Sequence, residues 1–263
     1  MRKLYFLVVC LFIFSEVKTQ IVNIPDANFK AKLISLGIDK NNNGEIEVDE
    51  AKNVKQLVIN NSNISSLEGI SSFINLFYLD CSSNAIESLN LGGLLTLNTL
   101  LCHSNKLTSL NLVEIPELSN LVCGSNFLKN IDASNLLGLC LLHCENNPYL
   151  EFISVKGNSF CVFESNFSNN PKLVYVCANE KDIDDFGSYF LRNGITGVNV
   201  NSYCSFIPGG TFYTIQGTTK LNTNGNGCDV LDLPLSNLKF SITDGTISGS
   251  TIANITGNYA IPV

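Results

Sequence analysis

Apolar residues recur along the middle of this chain with a period of 21 residues. Cys81, Cys102, Cys123 and Cys144 are each 21 positions apart, and Asn84, Asn105, Asn126 and Asn147 keep the same interval. Written one under another, the units read LFYLDCSSNAIESLNL, LNTLLCHSNKLTSLNL, LSNLVCGSNFLKNIDA and LCLLHCENNPYLEFIS, which share L-x-x-L-x-C-x-x-N-x-L. Upstream, VKQLVINNSNISSL puts Ile59 in the cysteine column and Ser62 in the asparagine column. Downstream, Phe160, Phe163 and Ser165 keep the spacing before it slips, and NNPKLVYV realigns with NNPYLEFI after 23 residues. The alternation within each unit predicts one short strand per coil, with Leu79 and Cys81 inward and Tyr78 and Asp80 outward. One coil cannot bury its apolar edge alone, so stacked coils share a continuous core. The asparagine bends the chain after the strand, and its amide is expected to bond backbone groups of its own and the neighbouring coil.

This period decides how Cys102–His103 is read. A cysteine that recurs in every coil, with Ile59 as its upstream counterpart, behaves as a small buried hydrophobe and not as a nucleophile. Parallel Cβ vectors in neighbouring strands suit a disulfide poorly. With two histidines in the chain, a four-ligand zinc cage is not expected. No Ser or Cys has a His and Asp set at a recognisable spacing, and Asp184–Asp185 reads as capping or solvated charge, so an enzyme is not expected.

The repeats over residues 54–180 resemble the leucine-rich-repeat family in its short bacterial form. That resemblance implies a solenoid with one parallel strand per coil, few helices, and a concave strand face as the binding surface. The residues it places on that face are Tyr78, Asp80, Thr99, Leu101, His103, Asn120, Val122, Leu141, His143 and Glu145. Leu101, Val122 and Leu141 beside Tyr78 and two histidines read as a strip for contact with a protein or glycan.

The ends differ from the middle. In IPDANFKAKLISLG, Asp26 is placed to cap a helix carrying Phe29, Leu33 and Leu36, with Gly37 as its stop. DKNNNGEIEVDE then fits the twelve-residue EF-hand loop, offering Asp39, Asn41, Asn43, Glu45 through its carbonyl, Glu47 and Glu50 to Ca2+, with Gly44 at the turn. A hard cation needs oxygens wrapped round it at this spacing, and two asparagines among them predict weak affinity, about 10⁻⁴–10⁻³ M. The lead-in over residues 21–53 resembles that of secreted Bacteroidetes-type leucine-rich-repeat proteins. Beyond the repeats, DIDDFGSYFLRNG predicts a short helix and ITGVNVNSYCSF a closing strand, completing a repeat domain over residues 54–207. Cys177 and Cys204 flank this segment as candidates for a disulfide. Residues 208–263 read as a second, all-β module, a partial sandwich with Leu238, Phe240 and Ile242 on one face of a strand. KLNTNGNGCDVLDLPLSNLKFSITDG resembles the opening of prealbumin-like or Cna-B spacer domains. The resemblance implies a second calcium loop at Asn222, Asn224, Asn226, Asp229 and Asp232, although Asn222 replaces the usual aspartate. The module reads as incomplete.

Composition narrows function further. Arg2 and Lys3 before the apolar run Leu4–Phe14 form a secretory leader over residues 1–20, too short to span a bilayer, so a secreted or cell-surface location is expected. No later run is long enough for a transmembrane anchor. A net charge of −7 without a Lys/Arg cluster argues against nucleic acid. Cys10 leaves with the leader, and the nine cysteines that remain of ten are an odd number, so one thiol at least stays unpaired in a monomer, the expected state. The leading reading is a calcium-stabilised, non-enzymatic binding or adhesion protein. The alternatives are a stalk or spacer of a larger surface protein, or the targeting part of a secreted enzyme whose catalytic domain lies elsewhere.

Overall fold

The computed structural model describes residues 20–157, 160–202 and 214–262, apart from 224, 226, 228, 237, 244, 246, 247 and 255. The expected leader through residue 19, Cys204 and Cys228 therefore lie outside the described residues, as do Asn224 and Asn226 of the expected second calcium loop.

The first helix among the described residues is α1 (Ala27–Ser35), whose N–H at Phe29 donates to the Asp26 carboxylate at 2.9 Å, the expected cap. The second oxygen of Asp26 accepts from the Ser65 and Ser66 backbone and from the Ser65 hydroxyl, which ties the helix to the first coil. Helix α2 (Val48–Ala51) follows the acidic loop. Nine three-residue strands come next: β1 (Gln56–Val58), β2 (Tyr78–Asp80), β3 (Thr99–Leu101), β4 (Asn120–Val122), β5 (Asn130–Asp132), β6 (Leu141–His143), β7 (Phe152–Ser154), β8 (Tyr175–Cys177) and β9 (Asn199–Asn201). Helix α3 (Ile183–Arg192) separates the last two.

Strands β1, β2, β3, β4 and β6 form one parallel sheet in which Leu57, Leu79, Leu100, Leu121 and Leu142 stand in register and are buried. The four cysteines of the next inward column are buried too and carry free thiols. Each ladder asparagine closes its turn as expected. Asn126 Nδ2 donates to the carbonyls of Cys102 (3.1 Å) and Cys123 (3.0 Å), while its Oδ1 accepts from Leu107 N at 3.0 Å. Asn105 and Asn147 repeat this one coil earlier and one coil later. The residue two after each cysteine is left-handed, at Ser83, Ser104, Ser125 and Asn146, with φ between 54° and 58°.

Two expectations are corrected. The coils do not carry one strand each, because β5, β7, β8 and β9 form a second parallel sheet on another side of the later coils. Its central residues are Ile131, Ile153, Val176 and Val200, whereas the matching positions in earlier coils are Leu89 and Leu110. β-Branched side chains favour the extended backbone, so the switch from leucine makes the strand. The sequence also places Phe163 in a strand position, but Val162–Glu164 is a turn of 3₁₀-helix, with Val162 buried and Phe163 half exposed. The fifth coil thus ends the first sheet.

One disulfide joins two cysteines for which the sequence offered no partner. Cys140 and Cys161, on adjacent coils 21 residues apart, are bridged with their Cα atoms 4.8 Å apart. Cys140 directly precedes β6 and Cys161 the 3₁₀-helix, and Cys161 N also donates to the Cys140 carbonyl at 3.0 Å. Cys177 is also disulfide-bonded, to a residue outside those described.

The closing segment contains β10 (Thr214–Thr218), β11 (Lys220–Leu221), β12 (Leu233–Pro234), β13 (Lys239–Thr243), β14 (Ser248–Ile252) and β15 (Asn258–Pro262). Hairpin β13–β14 pairs antiparallel with β9 through Thr251–Asn201 and Ile252–Val200, extending the second sheet to six strands. Ile252 joins the hydrophobic cluster that runs from Phe29 through every coil. Glu180 fastens the junction by accepting from Ser202 Oγ (2.8 Å) and Ser250 Oγ (2.6 Å) and pairing with Lys239 Nζ at 2.7 Å.

Candidate binding face and candidate calcium loops

The outward positions of the first sheet line up as columns. One runs Gln56, Tyr78, Thr99, Asn120, Leu141, and the next Val58, Asp80, Leu101, Val122, His143. Beyond the strand ends a third column carries His103, Gly124 and Glu145. The sheet therefore brings all ten expected face residues onto one surface. Nearly all of them are half buried, flanked by neighbouring coils, while Val58 at the sheet edge is 44% exposed.

Asp80 is the exception. It keeps the outward side expected of it, yet it is only 7% exposed. Its Oδ1 accepts from Ser82 N (3.0 Å) and Ser82 Oγ (2.6 Å), and its Oδ2 from Asn60 Nδ2 (2.9 Å). Those bonds fold the carboxylate against the sheet, and both burial and its charge push the Tyr78 phenol up. At the other end, His143 Nε2 meets the Glu164 carbonyl at 3.1 Å, which requires a proton on that nitrogen, and His103 Nδ1 lies 3.2 Å from Ser104 Oγ. The face thus has a polar end at Asn60, Tyr78, Asp80 and Ser82 and an apolar centre at Leu101, Val122 and Leu141.

Behind the face the cysteines are chemically quiet. Burial, helped at Cys81, Cys102 and Cys123 by the neighbouring thiol, pushes all four well above the usual thiol range. Among the described residues, Cys140, Cys161 and Glu164 are the group of possible ligand atoms that lies closest together, and the first two are already bonded to each other.

These registers decide the architecture. The fold is leucine-rich-repeat-like. No family model matches the chain, and no curated protein matches it. Among solved structures it is similar to the functional domain of InlJ from Listeria monocytogenes, which includes a cysteine ladder, at 23% identity and a TM-score of 0.42 over 64% of this chain and 46% of that one. It is also similar to the internalin InlF of that organism (15% identity, TM-score 0.43, 69% of this chain and 70% of that one). A third, internalin C2, gives 16% identity and a TM-score of 0.27 over 59% of this chain and 98% of that one. The chain spans about half the length of the InlJ domain. At these levels the repeat reading stands on the chain's own strand register and asparagine ladder.

In the acidic loop at residues 39–50 the carboxylates of Asp39, Glu47 and Glu50 do not form one close cluster of ligand atoms, and each is engaged by the loop's own donors. Asp39 is buried and accepts from Asn43 N (3.2 Å) and Gly44 N (2.9 Å), with Gly44 at φ 82°. Asn43 Nδ2 and Asn41 Nδ2 donate to the two oxygens of Glu47. Glu45 pairs with Lys30 at 2.6 Å. Glu50 receives Lys40 N (2.6 Å) and Glu47 N (3.0 Å), the latter as half of a capping box on α2. The donor chemistry fits a hard cation, and the same Glu50 oxygens that would grip it now cap a helix.

In the second expected loop, Asn222 Oδ1 accepts from Gly225 N (2.8 Å) and Asp232 Oδ2 from Asp229 N (2.9 Å). Asp232 is 6% exposed and its Oδ1 is buried without a partner, which suits a cation neighbour. No helix among the described residues is long and apolar enough to cross a membrane.

Proposed function

We propose that this chain is an exported, non-enzymatic surface protein that takes a protein partner on the outward face of its first sheet. The observation that carries the reading is the apolar patch of Leu101 and Val122, in register on adjacent strands, with Leu141 in the neighbouring column of the next strand, flanked by polar groups. Half-buried apolar columns of this kind gain from being covered, and the rigid coils beneath hold them at fixed spacing. Calcium in the 39–50 loop fits as a brace between the N-terminal helices and the first coil. Asp39, Glu47 and Glu50 would supply carboxylates, and Asn41, Asn43 and the Glu45 carbonyl neutral oxygens. Asp232 with Asp229 and Asn222 would supply a second, weaker site.

Replacing Leu101 and His143 together by Asp tests the face. Proteins retained by the immobilised wild-type chain from its native surroundings should be lost from the variant, with melting behaviour unchanged. If the folded variant retains the same proteins, the face is not the site and a spacer role takes its place.

A further inference from the structure

Glu145 stands out on the face just described. Its column reads Asn60, Ser82, His103, Gly124, Glu145 along the coils, and Gly124 leaves a gap in it. Glu145 lies across that gap. A Cβ added at Gly124 would come within 2.8 Å of the Glu145 carboxyl carbon and Oε1, so only glycine admits this pose. The other oxygen, Oε2, is closed off from solvent and has no hydrogen-bond partner. The ion pairs among the described residues engage Glu45, Asp49, Glu87, Asp182 and Glu180, and none reaches Glu145. The hydrogen bonds of the neighbouring histidines go elsewhere, His143 Nε2 to Glu164 O and His103 Nδ1 to Ser104 Oγ.

A carboxylate oxygen held out of water with nothing to bond is unfavourable, and the penalty is relieved when a cation reaches it. We propose that Glu145 is the charge anchor of the face, and that the partner segment it receives carries an arginine flanked by leucine-like residues. This rests on the reading of the face as a binding surface. A guanidinium fork matches both oxygens of a carboxylate at once, which a single ammonium does not. Val122 precedes Gly124 by two positions along the chain, about 6.5 Å in extended backbone, so an extended partner needs its arginine and apolar residues two apart. The chain's net charge of −7 favours the approach of such a segment.

The test uses two peptides, acetyl-Leu-Ser-Arg-Ser-Leu-amide and the same sequence with Gln for Arg, titrated into the isotopically labelled full chain. Affinity is read from backbone amide shifts at Gly124, Val122 and Glu145. The arginine peptide should bind about tenfold more tightly or better, and Glu145→Gln should erase the difference. Equal binding of both peptides to the wild type overturns the anchor, as does a preference that survives Glu145→Gln. Failure of both peptides to bind also overturns it. The face itself would still stand or fall by partner capture, which is scored at Leu101 and His143 and does not involve Glu145. The wild-type comparison decides the matter even if the variant fails to fold.

Discussion

Asn126 shows how much rests on a single side chain. Its amide satisfies two carbonyls of its own coil, one of the preceding coil and the buried N–H of Leu107. Alanine there would strand several of these groups away from water, each at about 1–3 kcal/mol. Asn126→Ala is therefore expected to lower unfolding stability by about 3 kcal/mol or more, read from urea denaturation, while an exposed asparagine such as Asn111 should tolerate alanine. The cysteine column gives a second residue-scale expectation. Cys81, Cys102, Cys123 and Cys144 are buried and their thiols are pushed up, so little thiolate exists to react. Iodoacetamide at pH 8 should leave all four unlabelled in native protein and label all four in urea. Prompt labelling of the native chain would mean the coils are not stacked.

At the scale of elements, two junctions matter. Glu180 joins the last coil to hairpin β13–β14, and the Lys239 ammonium, then the Ser250 and Ser202 hydroxyls, hold its carboxyl down at about 2. Because the folded value lies below the ordinary one, the clasp is at full strength above about pH 4.3 and is lost as pH falls through about 2. Glu180→Gln should therefore weaken amide-exchange protection of Ser250–Ile252 at pH 6, with wild type and variant converging near pH 2. Both partners are partly exposed, so the effect is local loosening and not global unfolding. The other junction is the acidic loop. Calcium should raise the melting temperature and chelator lower it, and Glu50→Gln should remove most of that response. An unchanged melt in chelator would discard the N-terminal site.

For the molecule as a whole, the sequence foretold the first sheet and little of what surrounds it. The inward leucines, the cysteine column and the asparagine bonds were legible because each repeats at one interval under one constraint. The helix at Ala27–Ser35 was legible from Asp26 and its apolar spacing. The second sheet was hidden because its signal is a change of residue type, leucine to isoleucine and valine, inside a column that stays apolar. The side Asp80 faces was legible but its burial was not, because alternation does not say whether Ser82 and Asn60 will hold the carboxylate against the sheet. The Glu145–Gly124 seat was likewise invisible, since it depends on which residue stands in the adjacent coil. Pairing of Cys140 with Cys161 was not legible, because their 21-residue spacing is also that of the ladder cysteines, which stay free.

Partners on the second sheet lie 22, 23 and then 24 residues apart, at Asn130–Phe152, Phe152–Tyr175 and Tyr175–Asn199, while the first sheet keeps 21 from Tyr78 onward. The longer loops enclose Phe160, Phe167, Phe186 and Phe190, which pack on one another where the earlier loops hold leucine and cysteine. The middle units are thus interchangeable modules, and the aromatic end is a custom-fitted stopper. Gene duplication or deletion of one middle module would lengthen or shorten the grip by one rung without refitting either end, so reach can be retuned by recombination while the stopper must be inherited whole.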